Sequence, residues 1–156
     1  MIAPPEPLPR LLAFPPLLYV TAFALGLALH AVMPLQALPP VIARTGGVLL
    51  LTASAALLVW ARLTLHRART TWVPGGSTVA LALGGPYTLS RNPMCLGMAG
   101  LHLGLGLLLN AVAPLLLFVP VFLLVERRVI RWEEQNLAAK FGAPYLEYLG
   151  RVPRWL

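Results

Sequence analysis

The chain alternates long apolar blocks with short polar stretches, and the apolar blocks are too long and too unbroken for an ordinary soluble core. From Leu11 to Ala31 no Lys, Arg, Asp or Glu interrupts the run, and about 20 apolar residues suffice for a helix to cross a bilayer. A first membrane span is therefore expected over 11–31. It reads as a retained helix and not a cleaved leader, because it exceeds a leader's apolar core, contains Pro15 and Pro16, and is followed by a second span. That second span is expected over 39–61, with Arg44 snorkelling near one end and Trp60 and Arg62 marking the other. The connector at 32–40 carries no Lys, Arg, Asp or Glu, which places it on the non-cytoplasmic side.

A different pattern follows. Residues 62–93 begin basic and then carry Pro74-Gly75-Gly76 and Gly84-Gly85-Pro86, a density of helix breakers that predicts a connector at the membrane surface. A third, short span is expected over 94–109. Gly97, Gly100 and Gly104 fall on one of its faces, a face open to close approach by another helix, a ligand or a second copy of the chain. Residues 110–114 suit a hairpin turn. A fourth span over 114–125, bent at Pro120, then continues as an amphipathic helix over 126–141. The expected fold is all-α: a polytopic membrane helix bundle of about four spans with a C-terminal amphipathic helix. It forms one domain over 1–156, with two generic spans in 1–62 and the chemistry in 63–156.

Composition sharpens this picture. Hydrophobic residues make up 58% of the 156 and charged residues only 11%, against about a quarter charged in soluble domains. The net charge of +7 would suit nucleic acid, but its arginines lie at the flanks of the spans. That is the positive-inside pattern, so the bilayer is the expected partner, nucleic acid is not, and both termini belong on the cytoplasmic side. The bias to Leu, Ala, Arg and Pro points to a bacterial inner membrane. One cysteine, Cys95, and three scattered histidines form no disulfide framework and no metal site.

The chemistry-bearing residues cluster. All five acids are glutamates, and Glu126, Glu133, Glu134 and Glu147 follow the fourth span, while Arg91 and Asn92 open the third. A hairpin of spans three and four brings these groups to one membrane face, because each span crosses once. Glu133 and Glu134 are neighbours about 100° apart on a helix, which excludes a paired-carboxylate dyad. Their plain role would be a solvated helix face partnered by Arg127, Arg128 and Arg131. His102, inside the third span, is either functional or a neutral ring bonded to a neighbouring helix.

The segment Leu81-x3-Gly85-Pro86-Tyr87-x3-Arg91-Asn92-Pro93-Met94, then Glu133-Glu134-Gln135-Asn136-Leu137, and the tail from Phe141 to Pro153 with Tyr145 and Tyr148 stand in a telling order. Together they resemble the isoprenylcysteine carboxyl methyltransferases, a family of integral membrane enzymes, over roughly residues 79–155. The resemblance implies an S-adenosylmethionine-dependent methyltransferase acting on a lipid-like or prenylated substrate, with carboxyl O-methyl transfer. It implies cofactor positions at Leu81, Ala82, Gly85, Tyr87, Asn92, Pro93, Met94, Cys95 and Gly97, and catalytic positions at Glu133, Glu134 and Arg91. Cys95 stands where the family usually has tyrosine, with Trp72 or Trp132 as possible substitutes. Asn92 replaces the histidine of the strict carboxyl-methylating branch, and Asn-Pro-Met also resembles phospholipid N-methyltransferases. The residues themselves fit the cofactor: Arg91 can hold a carboxylate bidentately, and the helix started by Pro93 offers free N–H groups. The alternatives are an NADPH-dependent membrane reductase of the sterol-reductase type and a non-catalytic scaffold of the same fold.

Overall fold

The computed structural model describes residues 14–70 and 80–156, together with Pro5, Glu6, Pro9 and Leu12. Arg10, the expected start of the first span at Leu11, Trp72 and the Pro74-Gly75-Gly76 breaker lie outside the described residues. No strand occurs among those described, and the expected all-α membrane bundle is what forms.

Helix α1 spans Pro15–Val32 and helix α2 spans Pro40–Arg67, each opened by a proline in its first turn. Proline fits there because its missing N–H would have no helical acceptor anyway. These two helices are long and apolar enough to cross a membrane. Helix α2 outruns its expected end at Ala61 by six residues, since nothing between Arg62 and Arg67 breaks a helix. Helix α3 spans Pro93–Leu108, one residue earlier than expected at each end.

Helix α4, Val112–Leu124, is shorter than a full crossing, but it does not stop. It passes without a break through a π-helical turn, Val125–Ile130, into α5 at Arg131–Phe141. Pro120 lies inside α4 and removes one backbone hydrogen bond there. The wide turn follows directly and buries Val125, Val129 and Ile130. Gly142, at φ +59°, ends α5, and a sixth helix, α6 at Ala143–Arg151, follows. The sequence pattern had not distinguished α6 from a tail.

Small residues decide the packing. A Cβ on Gly47 of α2 would lie 2.5 Å from the Leu108 nitrogen, and one on Gly26 of α1 would lie 2.5 Å from the Pro114 Cα. The Gly97, Gly100 and Gly104 face meets Leu58, Ser54 and Leu51 of α2. That face is therefore consumed within the chain and is not open to a second copy. His102 is buried, with Nε2 2.9 Å from the Pro114 carbonyl and its ring edge-on to Phe23. It is the helix-bonded histidine, tying α3 to α4.

Asn110 makes the α3–α4 turn at φ +51°. Its Oδ1 accepts from the Ala37 and Leu38 amides at 3.0 Å each, and its Nδ2 donates to the Leu38 carbonyl at 2.8 Å. Two hairpin turns are thereby clamped together at the end of the bundle away from the motifs. With one end pinned, α3 and the α4–α5 rod deliver their other ends to a common place.

Candidate active site

That common place is a cleft of about 920 Å³, counted to its open mouth, walled by six segments. The loop before α3 supplies Leu81, Ala82, Tyr87, Arg91 and Asn92, and the first turns of α3 supply Pro93, Met94, Cys95 and Met98. Helix α5 supplies Glu133, Glu134 and Leu137, and α6 supplies Tyr145 and Tyr148. The starts of α1 (Pro15, Pro16) and the end of α2 (Leu65) complete the apolar side.

Local geometry explains the loop. Gly85 adopts φ +58°, open to glycine without strain, and starts a 3-10 turn, Gly85–Thr88. The Ser90 amide donates to the Pro86 carbonyl at 3.1 Å, and the Ser90 hydroxyl accepts from the Asn92 amide at 3.1 Å. Asn92 then caps α3 without a side-chain hydrogen bond to its first turn. Pro93 has no N–H, so the Met94 and Cys95 amides are the free donors at the helix start.

The last residues form a strap across this loop. The Arg91 amide donates to the Pro153 carbonyl at 3.0 Å, and the Ser90 hydroxyl and Asn92 side-chain amide donate to the Arg154 carbonyl at 3.1 and 3.4 Å. The Tyr148 hydroxyl donates to the Tyr87 carbonyl at 2.7 Å, and Trp155 stacks obliquely on Phe122 at 5.0 Å.

Charge is distributed unevenly. Arg154 grips Glu134 with two donors, Nε to Oε1 at 3.1 Å and Nη2 to Oε2 at 2.6 Å, and reaches Glu126 at 3.7 Å. The Arg91 Nη1 lies 3.2 Å from the same Glu134 carboxylate. These are the partners in place of Arg127, Arg128 and Arg131, which stay exposed at the helix surface. The Glu134 hydrogen bond raises the Arg154 guanidinium above its usual range.

Glu133, one residue away, has no hydrogen bond or ion pair among the described residues. Burial, with the neighbouring Glu134 charge acting in the same direction, pushes its carboxyl up to about 7. Burial also lifts the Tyr87 phenol well above its ordinary value, helped by Glu133. The Arg91 Nε is buried and has no acceptor among the described residues. An unmatched donor and an unmatched carboxylate thus line one cavity, and each is costly to leave so.

Two positions implied by the motif resemblance lie off the cavity wall. Gly85 packs against Thr64 and Trp60, and Gly97 against Leu58, so both serve contact with α2. Leu81, Ala82, Tyr87, Asn92, Pro93, Met94 and Cys95 do line it, as do Arg91, Glu133 and Glu134. Trp132 turns its indole to the Glu6 carbonyl at 2.6 Å and is not part of the wall, so it does not stand in for a ring at Cys95. The sequence reading missed Leu137 and Met98 as lining residues. Helical spacing held the signal: Leu137 lies four residues past Glu133, and Met98 three past Cys95.

An apolar helical bundle that gathers arginine and glutamate beside an uncapped helix start, under a roof of tyrosines, has the build of a membrane-embedded transferase. The family model for phospholipid methyltransferase matches residues 42–144, about two thirds of the chain. The chain belongs to the phospholipid methyltransferase family, whose members are membrane methyltransferases acting on lipid-like substrates. The match runs from α2 through α5 and includes Arg91, Glu133 and Glu134; α1 and the strap lie outside it. No curated protein and no solved structure matches the chain.

Proposed function

We propose that the cleft binds S-adenosylmethionine and directs its methyl group to a lipid-like acceptor that enters from the bilayer side. The observation that carries this reading is the pair of unmatched groups, the buried Arg91 Nε and the partnerless Glu133 carboxyl, beside the free amides of Met94 and Cys95. The donor needs that chemistry: hydrogen-bond donors for the carboxylate of its amino-acid end and an acid to balance its net positive charge. When bound, the cofactor supplies an electrophilic methyl on a sulfonium.

The chain's own contribution is positioning. Arg91, held between Glu134 and the strap, presents Nε at a fixed angle. Glu134 is neutralised by Arg91 and Arg154, so its role is to orient the arginine. Leu81, Leu137 and Met98 supply apolar wall, and Tyr145 and Tyr148 cover the solvent side. Water exclusion and alignment are the main requirements for methyl transfer.

The motif resemblance favours a carboxyl oxygen on a lipid-like or prenylated molecule as acceptor; a carboxylate is already ionised and needs no base. The family match supports methyl transfer over pyridine-nucleotide reduction. The basic flanks of α2 and α5 support a cytoplasmic placement of this face in a bacterial inner membrane.

Calorimetry on the purified protein in detergent tests the donor. Binding of S-adenosylmethionine is expected, with at least a tenfold loss for Arg91→Ala; no binding overturns the reading. Mass spectrometry of membrane extracts incubated with isotope-labelled donor then identifies the acceptor.

A further inference from the structure

We infer that Glu133 is the residue by which the cleft distinguishes the methyl donor from its demethylated product, and that it does so through the ligand's net charge. This rests on the reading that S-adenosylmethionine is the donor. It adds a specificity-determining role to one side chain.

The starting point is charge balance around the cleft. Arg91 and Arg154 carry two positive charges, and Glu134 and Glu126 carry two negative ones, joined in one connected set of ion pairs. That set is neutral. Glu133 is the remainder. The loop before α3 faces it with the Tyr87 phenol and with Arg91, which is already engaged by Glu134. Helix α3 contributes the Cys95 thiol, and α6 contributes the neutral phenols of Tyr145 and Tyr148. Helices α1 and α2 bring only Pro15, Pro16 and Leu65 to the wall, and Thr70 follows α2. Among the described residues, no cation on these elements is left to pair with it.

A carboxylate alone among such neighbours is expensive when ionised. In the empty cleft Glu133 therefore keeps its proton up to near neutrality, in line with its carboxyl standing at about 7. S-adenosylmethionine carries a sulfonium, an ammonium and a carboxylate, net +1. Its arrival supplies the missing positive charge, and Glu133 gives its proton to solvent. Methyl transfer breaks the carbon–sulfur bond with both electrons remaining on sulfur and forms the bond from carbon to the acceptor. The remaining thioether has no charge, so the ligand becomes neutral overall. Glu133 is again unbalanced, takes a proton from solvent, and the product loses its hold. Donor and product differ by one methyl group, too little for a shape filter, but by one full charge. In a desolvated cleft one charge at short range corresponds to roughly tenfold or more in affinity.

Calorimetric titration at pH 6.5, repeated in two buffers of different ionisation enthalpy, reads the linkage directly. Wild type is expected to release protons on binding S-adenosylmethionine, to release few or none on binding S-adenosylhomocysteine, and to favour the former by at least about tenfold. Glu133→Gln keeps the shape without the charge. It should lower donor affinity about tenfold, leave product affinity within about twofold, and abolish proton release. Equal proton release and equal affinity for the two ligands in wild type would overturn the inference. So would an equal loss for both ligands in Glu133→Gln, which would mean that Glu133 grips their shared ammonium. Binding of neither ligand would instead refute the donor reading itself. Product binding by the variant serves as its own control for folding, and the two-buffer comparison on wild type needs no variant.

Discussion

Helices α2 and α3 pack side by side, yet they meet opposite surroundings. Only 17% of the most apolar window of α2 is buried within the protein, and large apolar residues such as Val48, Leu49 and Val59 stay exposed on it. Helix α3, sixteen residues long, buries eight of them, four being glycines, and is approached from several sides by other helices. Large apolar side chains thus mark the helix that meets lipid, and small ones mark the helix that meets protein. The site forms at the end of the second kind, where a rigid, crowded helix can hold Asn92 to Cys95 in place.

Neighbouring glycines give the sharpest way to break this contrast. Gly47 faces Leu108 at backbone distance, whereas Gly46 has open space around it. Gly47→Val should cost about 4 kcal/mol or more, seen as loss of the monodisperse peak in detergent gel filtration. A melting temperature equal to wild type would refute the packing.

The next effect lies at the site. Glu133 holds its proton in the folded chain up to about pH 7, while its ordinary value is 4.5. The folded state therefore binds more protons than the unfolded one across that window, so stability falls as pH rises through it. The loss is about 3 kcal/mol at most. Thermal melts of ligand-free protein should show this fall between pH 4.5 and 7 and show it flattened in Glu133→Gln.

Arg154→Ala should follow, at about 2 kcal/mol, because it strips Glu134 of its bidentate partner and Glu126 of its ion-pair partner. Arg154→Lys should recover only part of this in the same melts, lacking the planar fork. At the far end of the bundle, Asn110→Ala loses three hydrogen bonds at a left-handed backbone position and should cost about 1–2 kcal/mol. Asn110→Gly should cost less than the alanine change if the positive φ contributes. Smallest is Gly46→Val, expected within about 0.5 kcal/mol of wild type, which sets the scale for Gly47.

How much of this was legible in the sequence follows the same division. Helices α1 and α2 were visible because an uncharged apolar run has one physical use. The meeting of Arg91 with Glu134 was visible because a hairpin of two helices returns the chain to the face it left. What stayed hidden depended on the partners of small or identical residues. Gly97 and Gly100 advertise close approach without naming what approaches. Glu133 and Glu134 are the same residue type, and only Arg154, twenty residues further on, decides which of them is neutralised. Arg127, Arg128 and Arg131 have the right spacing for a helical ion pair, but α5 turns the glutamates inward, away from them. Helix α6 was signalled by Gly142 and Pro144, a stop and a start two residues apart, in a stretch too short for its periodicity to register.

The wall formed by Pro15, Pro16 and Leu65 belongs to the ends of the two longest apolar helices, the side from which the proposed lipid-like acceptor would enter. For an acceptor dissolved in that lipid, the relevant concentration is its mole fraction in the membrane, not its amount per litre. Turnover should then slow when inert lipid is added at constant total acceptor. The kinetics of this protein would be those of a surface, with a two-dimensional search preceding each reaction.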